Sequence, residues 1–169
     1  MARDPSHPRD RPGDFWDQRY GGENPVFGHE PNQWLAANAD LLKPGMTALL
    51  PGDGEGRNGV WLAERGLTVT SVDASPVGVE KSQHLAAARG VSINAETADL
   101  RDWDAPEAAF DLVVLAFLHV GPDDRTELHR KLALTLKPGG LLLLEGFTPD
   151  HLGYGKGGPP DTGMMFTED

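Results

Sequence analysis

Cysteine is absent from the 169 residues. Disulfides, thiolate metal sites and a cysteine nucleophile are therefore excluded, and no metal site is expected. No apolar run approaches the roughly 20 residues that a membrane-spanning helix needs. Extended runs of Lys and Arg are also missing: 15 basic residues stand against 26 acidic ones, a formal net charge of −11. Nucleic-acid backbones and anionic membranes repel such a surface, so neither is expected as a partner. The plain reading of the acidity is solubility, and a cytoplasmic monomer or homodimer is the expectation. Residues 1–14 are rich in Pro, Asp and Arg and lack an apolar centre. They read as a flexible leader, neither signal peptide nor folded element.

What is present is an alternation of strands and helices. Phe15 to Tyr20 predicts a short helix stopped by Gly21-Gly22. Gln33 to Leu42 predicts a second, stopped by Lys43-Pro44-Gly45. The first strand is Met46 to Leu50, and a helix over Arg57 to Arg65 follows a glycine-rich loop. The second strand is Leu67 to Val72. Ser75 then reads as an N-cap with Pro76 at the first helical position, opening a helix to about Arg89. Val91 to Ala95 is the third strand. Asp111 to Ala116 is the fourth, apolar throughout after its first residue, as a strand buried on both faces is. Pro122 opens a helix through Leu136, and Lys137-Pro138-Gly139-Gly140 turns the chain into a fifth strand, Leu141 to Glu145. Residues 102–109 predict a loop or a single helical turn. The pattern specifies a doubly wound α/β fold, a mostly parallel Rossmann-like sheet with helices on both faces. Residues 15–147 form its single domain, and residues 148–169, rich in Gly and Pro, read as loop or tail.

In such sheets ligands bind beyond the carboxyl ends of the strands. After the first strand stands Pro51-Gly52-Asp53-Gly54-Glu55-Gly56-Arg57-Asn58. Its alternate glycines let backbone approach a ligand closely, and the next helix presents unpaired N–H groups. After the second strand stands Asp73, whose carboxylate suits a ribose diol; alone it reads equally as a solvated loop acid. Asp99, after the third strand, could hold an exocyclic amine, with apolar neighbours sandwiching a purine, or be one more loop acid. After the fourth strand come Phe117 and His119. The histidine is a general base, a substrate contact, or a packed and satisfied side chain.

Two cofactors compete for this frame. Gly54-x-Gly56-x-x-Gly59 matches the dinucleotide pattern, with Asp73 lying 73 − 54 = 19 residues on. Its phase is poor, because the first glycine belongs at the strand–helix turn, near Gly52. Counted from Gly52, Arg57 takes the place of the third glycine. Asp53 and Glu55 would also repel a pyrophosphate unless both point away. S-adenosylmethionine has no phosphate and carries a sulfonium and an ammonium, so the acidic loop favours it over NAD.

The same residues carry a family resemblance. Phe15-Trp16-x-x-Arg19-Tyr20, Pro51 to Asn58, Val72-Asp73-Ala74-Ser75, Ala98-Asp99-Leu100 and Leu136 to Gly140 resemble, in order and spacing, class I S-adenosylmethionine-dependent methyltransferases. Within that class they look similar to the branch of the tellurite-resistance and thiopurine methyltransferases. The resemblance implies methyl transfer by in-line displacement to a small-molecule acceptor, a thiol or a selenium or tellurium oxyanion. It implies that Gly52, Gly54 and Gly56 line the methionine portion, that Asp73 holds the ribose, and that Ala74 and Ser75 lie beside the adenine. Asp99 and Leu100 would address the adenine edge, and Phe117 and His119 the transferable methyl. Trp16 and Tyr20 would close the pocket, Arg19 would pair with the cofactor carboxylate, and Trp16 reads otherwise as a core anchor. Relatives carry an acid where this chain has Leu50; Asp53 is the nearest replacement for contact with the ammonium. They also continue past the fifth strand with a helix and two strands. The expectation here is a chain lacking those strands: either a fragment whose residues 148–169 begin a missing C-terminal part, or a chain whose fifth-strand edge is covered by the tail or by a second subunit. A protein that binds the cofactor with little catalysis, and an NAD-dependent oxidoreductase, are the alternatives.

Overall fold

The computed structural model describes residues 12–155, 157–159 and 161–167. Its strands are β1 (Thr47–Pro51), β2 (Thr68–Asp73), β3 (Asn94–Thr97), β4 (Phe110–Ala116) and β5 (Leu136–Glu145). They form one sheet in the order β3-β2-β1-β4-β5, and every pairing is parallel. The helices are α1 (Pro12–Tyr20), α2 (Gln33–Ala37), α3 (Arg57–Glu64), α4 (Pro76–Ala88) and α5 (Pro122–Leu134). This is the doubly wound α/β fold that the sequence predicts. The chain runs outward from β1 to β3, then returns to β4 on the other side of β1. That reversal opens a crevice at the carboxyl ends of β1 and β4.

Strand periodicity sends neighbouring residues to opposite faces and builds two cores. Leu50, Leu112 and Val114 pack with Leu35 of α2 and Trp61 and Leu62 of α3. Leu49, Val113 and Leu115 pack with Leu128 and Leu132 of α5. Ser75 caps α4 as expected, its hydroxyl accepting the Gly78 N–H at 2.9 Å. No helix among the described residues is long and apolar enough to cross a membrane.

Several boundaries differ from the sequence reading, each for a local reason. α1 begins at Pro12, inside the stretch read as leader. Proline's fixed φ suits a first helical turn, and Gly13 lies against the Ala74 carbonyl where a side chain would collide. Residues 1–11 lie outside the described residues. The helix predicted over 33–42 breaks at Asn38, whose side-chain amide takes the Trp34 carbonyl at 2.8 Å; a 3₁₀ turn, Ala39–Leu41, follows. β3 starts late because the Val91 N–H is spent closing α4 on the Ala86 carbonyl, at 3.0 Å. Lys137 to Gly140 do not precede β5 but bulge within it, since Phe110 pairs with Leu136 while Leu112 pairs with Leu141.

β5 is a sheet edge, with Leu142 46% exposed. The described residues of the tail leave Leu142 exposed. Two 3₁₀ turns, Pro149–Tyr154 and Thr162–Met164, carry the chain instead across the carboxyl end of the sheet. There Met165 is 2% exposed and the Phe166 N–H meets the Phe147 carbonyl at 2.8 Å.

Candidate functional site

The loop after β1 holds its shape through glycine. Gly54 and Gly56 have φ of 56° and 86°, values that side chains strain to adopt. A Cβ on Gly56 would come within 2.5 Å of the Ser82 Cβ, and one on Gly54 would strike the Tyr20 hydroxyl. Gly52 lies beneath the Leu118 side chain.

Asp73 stands at the end of β2, 5% exposed. One carboxylate oxygen accepts the Gly54 N–H and the other the Ser75 N–H, both at 2.8 Å. Burial raises its pKa and the two N–H groups oppose that rise. Both bonds lock the carboxylate's orientation and leave each oxygen a second lone pair.

The other acids of the loop turn away. Oδ2 of Asp53 accepts the Gly59 N–H at 3.0 Å near the start of α3, and Oδ1 is buried without a partner. Burial pushes the Asp53 carboxyl up to about 7. The ammonium contact expected of Asp53 is thus not one its side chain faces. Glu55 is clamped between Lys81 Nζ at 2.9 Å and the Val26 N–H at 2.7 Å.

α1 lies over this loop. Tyr20 is buried, stacked on Trp16 with ring centroids 5.3 Å apart. Burial, with Asp73, Glu55 and Asp53 nearby, drives its phenol pKa far upward, so it stays neutral. Asp17 accepts hydrogen bonds from the Ser75 hydroxyl and, at 3.2 Å, from the Val77 N–H at the start of α4. Ser75 is fully buried by these contacts, so its side chain is a cap rather than a wall beside an adenine. Arg19 lies on the exposed side of α1, 5.8 and 5.6 Å from the Phe15 and Trp16 ring centres. That placement does not aim it at a carboxylate beneath the helix.

After β3 the picture also changes. Arg101 holds Asp99, its Nε lying 2.9 Å from Oδ1 and its Nη2 2.5 Å from Oδ2. The Asp99 hydrogen bonds raise the Arg101 pKa, so the guanidinium stays charged. The carboxylate expected to meet an exocyclic amine is engaged within the chain. Leu100 is buried with Leu49 and Val72 in the core rather than at a ligand edge. Ala74 is half-buried, next to Asp73 at the end of β2.

At the end of β4 the backbone is strained: Phe117 has φ of 55°, a region non-glycine residues seldom adopt. Its N–H donates to the Glu145 carbonyl at 2.8 Å. His119 stacks on Phe147, centroids 5.3 Å apart, and its Nδ1 meets the Met164 carbonyl at 2.9 Å. A carbonyl only accepts, so Nδ1 carries the proton and Nε2 the lone pair. Nε2 is buried with no partner. Burial, then Arg125 and His151, lower the His119 pKa below that of an ordinary imidazole.

The site therefore gathers Gly52, Gly54, Gly56, Asp73, Ala74, Trp16, Tyr20, Phe117 and His119 at one end of the sheet. Asp17, Arg101 and the Phe147 and Phe166 rings are additions that sequence reasoning missed. Asp17 lay inside the Phe15–Tyr20 motif, the one signal available; the rings come together only through the tail's path. A cavity of about 390 Å³ opens elsewhere, between Glu23, His29, Lys81 and His84. It carries both signs of charge, and Lys81 is already paired there with Glu55.

The sheet order, the glycine turn and the Asp73 fork define a class of protein, and the sequence places the chain within it. Residues 49–140 match the family described as a methyltransferase domain, 140 − 49 + 1 = 92 of the 169 residues. The chain belongs to that family. Among solved structures, an S-adenosylmethionine-dependent methyltransferase from Mesorhizobium loti is 28% identical, with a TM-score of 0.60 over 69% of this chain and 53% of that one. One from Thiobacillus denitrificans, in complex with S-adenosylhomocysteine, is 20% identical, with a TM-score of 0.60 over 76% and 53%. Phosphoethanolamine N-methyltransferase 1 of Haemonchus contortus is 23% identical, with a TM-score of 0.69 over 95% and 36%. The chain spans about half the length of most solved structures it matches.

Proposed function

We propose that the chain binds S-adenosylmethionine at the carboxyl ends of β1, β2 and β4 and methylates a small-molecule acceptor in the cytoplasm. The observation that carries this reading is Asp73. Its two oxygens are fixed by the Gly54 and Ser75 N–H groups, so the free lone pairs present a rigid fork for the two hydroxyls of a ribose. The glycine loop suits the methionine portion, because its three glycines carry no side chains and its acids face elsewhere. Trp16 and Tyr20 close the pocket, and their ring faces suit a sulfonium.

When bound, S-adenosylmethionine supplies a methyl carbon activated by that sulfonium. The protein's task is then to align the acceptor and manage its proton. Phe117, after β4, borders the place of transfer. The resemblance to the tellurite-resistance and thiopurine branch supports a soft acceptor, a thiol or a selenium or tellurium oxyanion, which needs no base. His119 supports a second acceptor class, hydroxyls or amines, whose proton its bare Nε2 takes.

A methyl-transfer assay over thiols, selenite, tellurite, phenols and amines separates these readings. Transfer to at least one member is the expected result. For a hydroxyl acceptor, His119→Gln is expected to lower the rate by about 10²-fold, while a thiol acceptor keeps its rate. Cofactor binding with no transfer across the panel would leave only the cofactor-binding alternative.

A further inference from the structure

His119 is one of two histidines facing the same ring. Phe166 lies 5.7 Å from the His119 ring centre and 5.8 Å from that of His129 on α5, parallel to His129 within 7°. A Cβ on Gly146 would strike the Phe166 ring and sit 3.5 Å from Cε1 of His119, so ring, imidazole edge and strand end meet at one point. The Phe147 ring closes the slot on the β5 side. Phe166 is held there by the Arg125 guanidinium, which stacks 5.9 Å from its centre and donates to the Met165 carbonyl at 2.7 Å.

The occupant does not match its slot. Nε2 of His119 and Nε2 of His129 are both buried without a hydrogen-bond partner. A buried polar atom left unpaired is destabilising, and a phenyl ring has nothing to offer either nitrogen. A hydroxyl offers what the ring lacks, because its one proton is donated to the lone pair of His119 and its oxygen still accepts from an N–H such as that of His129. The ring-lined walls call for a planar apolar body, and a charge facing the slot is that of Arg125, with His151 behind Phe147, its ring tilted by 32° at 4.0 Å.

We propose that this slot between β4, β5 and α5 is a binding site for a hydroxylated aromatic ring, and that Phe166 occupies it as an internal stand-in that the ligand displaces. Its use as the acceptor site rests on the methyl-transfer reading; its ligand chemistry does not. With a phenolic ligand seated, its hydroxyl proton faces His119 Nε2, at the same strand end as Phe117.

The test is calorimetric titration of the full chain and of Phe166→Ala with catechol and with toluene, without cofactor. Phe166→Ala is expected to bind catechol at least tenfold more tightly than the native chain does, and at least tenfold more tightly than it binds toluene. Equal affinity for the two ligands, or no gain on removing Phe166, would overturn the proposal. If circular dichroism shows Phe166→Ala unfolded, the native chain decides. Catechol, and not toluene, must shift the Nε2 resonances of His119 and His129; unmoved resonances overturn it. S-adenosylhomocysteine is titrated into the same native protein. Its failure to bind beside an intact catechol preference would sink the methyl-transfer reading and leave the slot.

Discussion

Asp53 and Asp73 are both buried carboxylates beside the glycine loop, and their hydrogen bonds divide their work. Asp73 has each oxygen anchored and a lone pair to spare, whereas Asp53 has one oxygen anchored and one orphaned. The Asp53 carboxyl titrates near 7 in the folded chain, against an ordinary 3.8. The folded state therefore binds the proton more tightly than the unfolded state, and stability falls as pH rises from about 4 to about 7. The shift corresponds to a loss of up to about 4 kcal/mol. Asp53→Asn should remove that part of the slope, which thermal unfolding between pH 5 and pH 8 reads directly; matching slopes would contradict the assignment. The same geometry revises an inference from charge. Asp53 and Glu55 argue in the sequence against a pyrophosphate, yet both turn away from the loop's open side. Their direction depends on Gly59, Lys81 and Val26, partners that residue type alone does not reveal.

α1 is the element whose position matters most to the site. It has little apolar surface to bury, and its buried residue is Tyr20. Asp17 supplies the rest of its attachment, capping the N-terminus of α4 where a carboxylate also meets the helix dipole. Asp17→Ala is expected to cost about 1–2 kcal/mol and to raise hydrogen exchange across α1 while amides of β1 and β4 keep their protection. Unchanged exchange in α1 would show that its rings alone hold it. Elements with strong local signals were legible in the sequence: the Ser75-Pro76 start of α4, the apolar run of β4, the glycine turn before α3. Those that failed depended on a competing bond. Asn38 interrupts a helix by bonding backward, Val91 is drawn into a helix end, and Lys137 to Gly140 are absorbed into β5 because Asp111 and Thr47 hold Lys137 at the bulge. The tail was illegible for a related reason. Its Gly and Pro residues have no period, and the two residues that dock it, Met165 and Phe166, are too few to form one.

At the scale of the whole molecule, the sheet, its two cores and the crevice at β1 and β4 follow from hydrophobic periodicity, and the family match agrees with them. The glycine turn and Asp73 at the end of β2 were legible for the same reason, being local features, whereas the partners that engage Asp53 and Asp99 were not. The ring-lined slot was not, because it joins residues from β4, β5, α5 and the tail. The central claim is that the Asp73 fork and the glycine loop form an S-adenosyl site. It is tested most directly by calorimetric titration of S-adenosylhomocysteine into the native chain and into Asp73→Ala, with NAD as the competing ligand. The account predicts binding by the native chain, a loss of at least about tenfold in Asp73→Ala, equal to about 1.4 kcal/mol, and no binding of NAD. Binding of NAD without S-adenosylhomocysteine, or an affinity for S-adenosylhomocysteine that Asp73→Ala leaves unchanged, would contradict it.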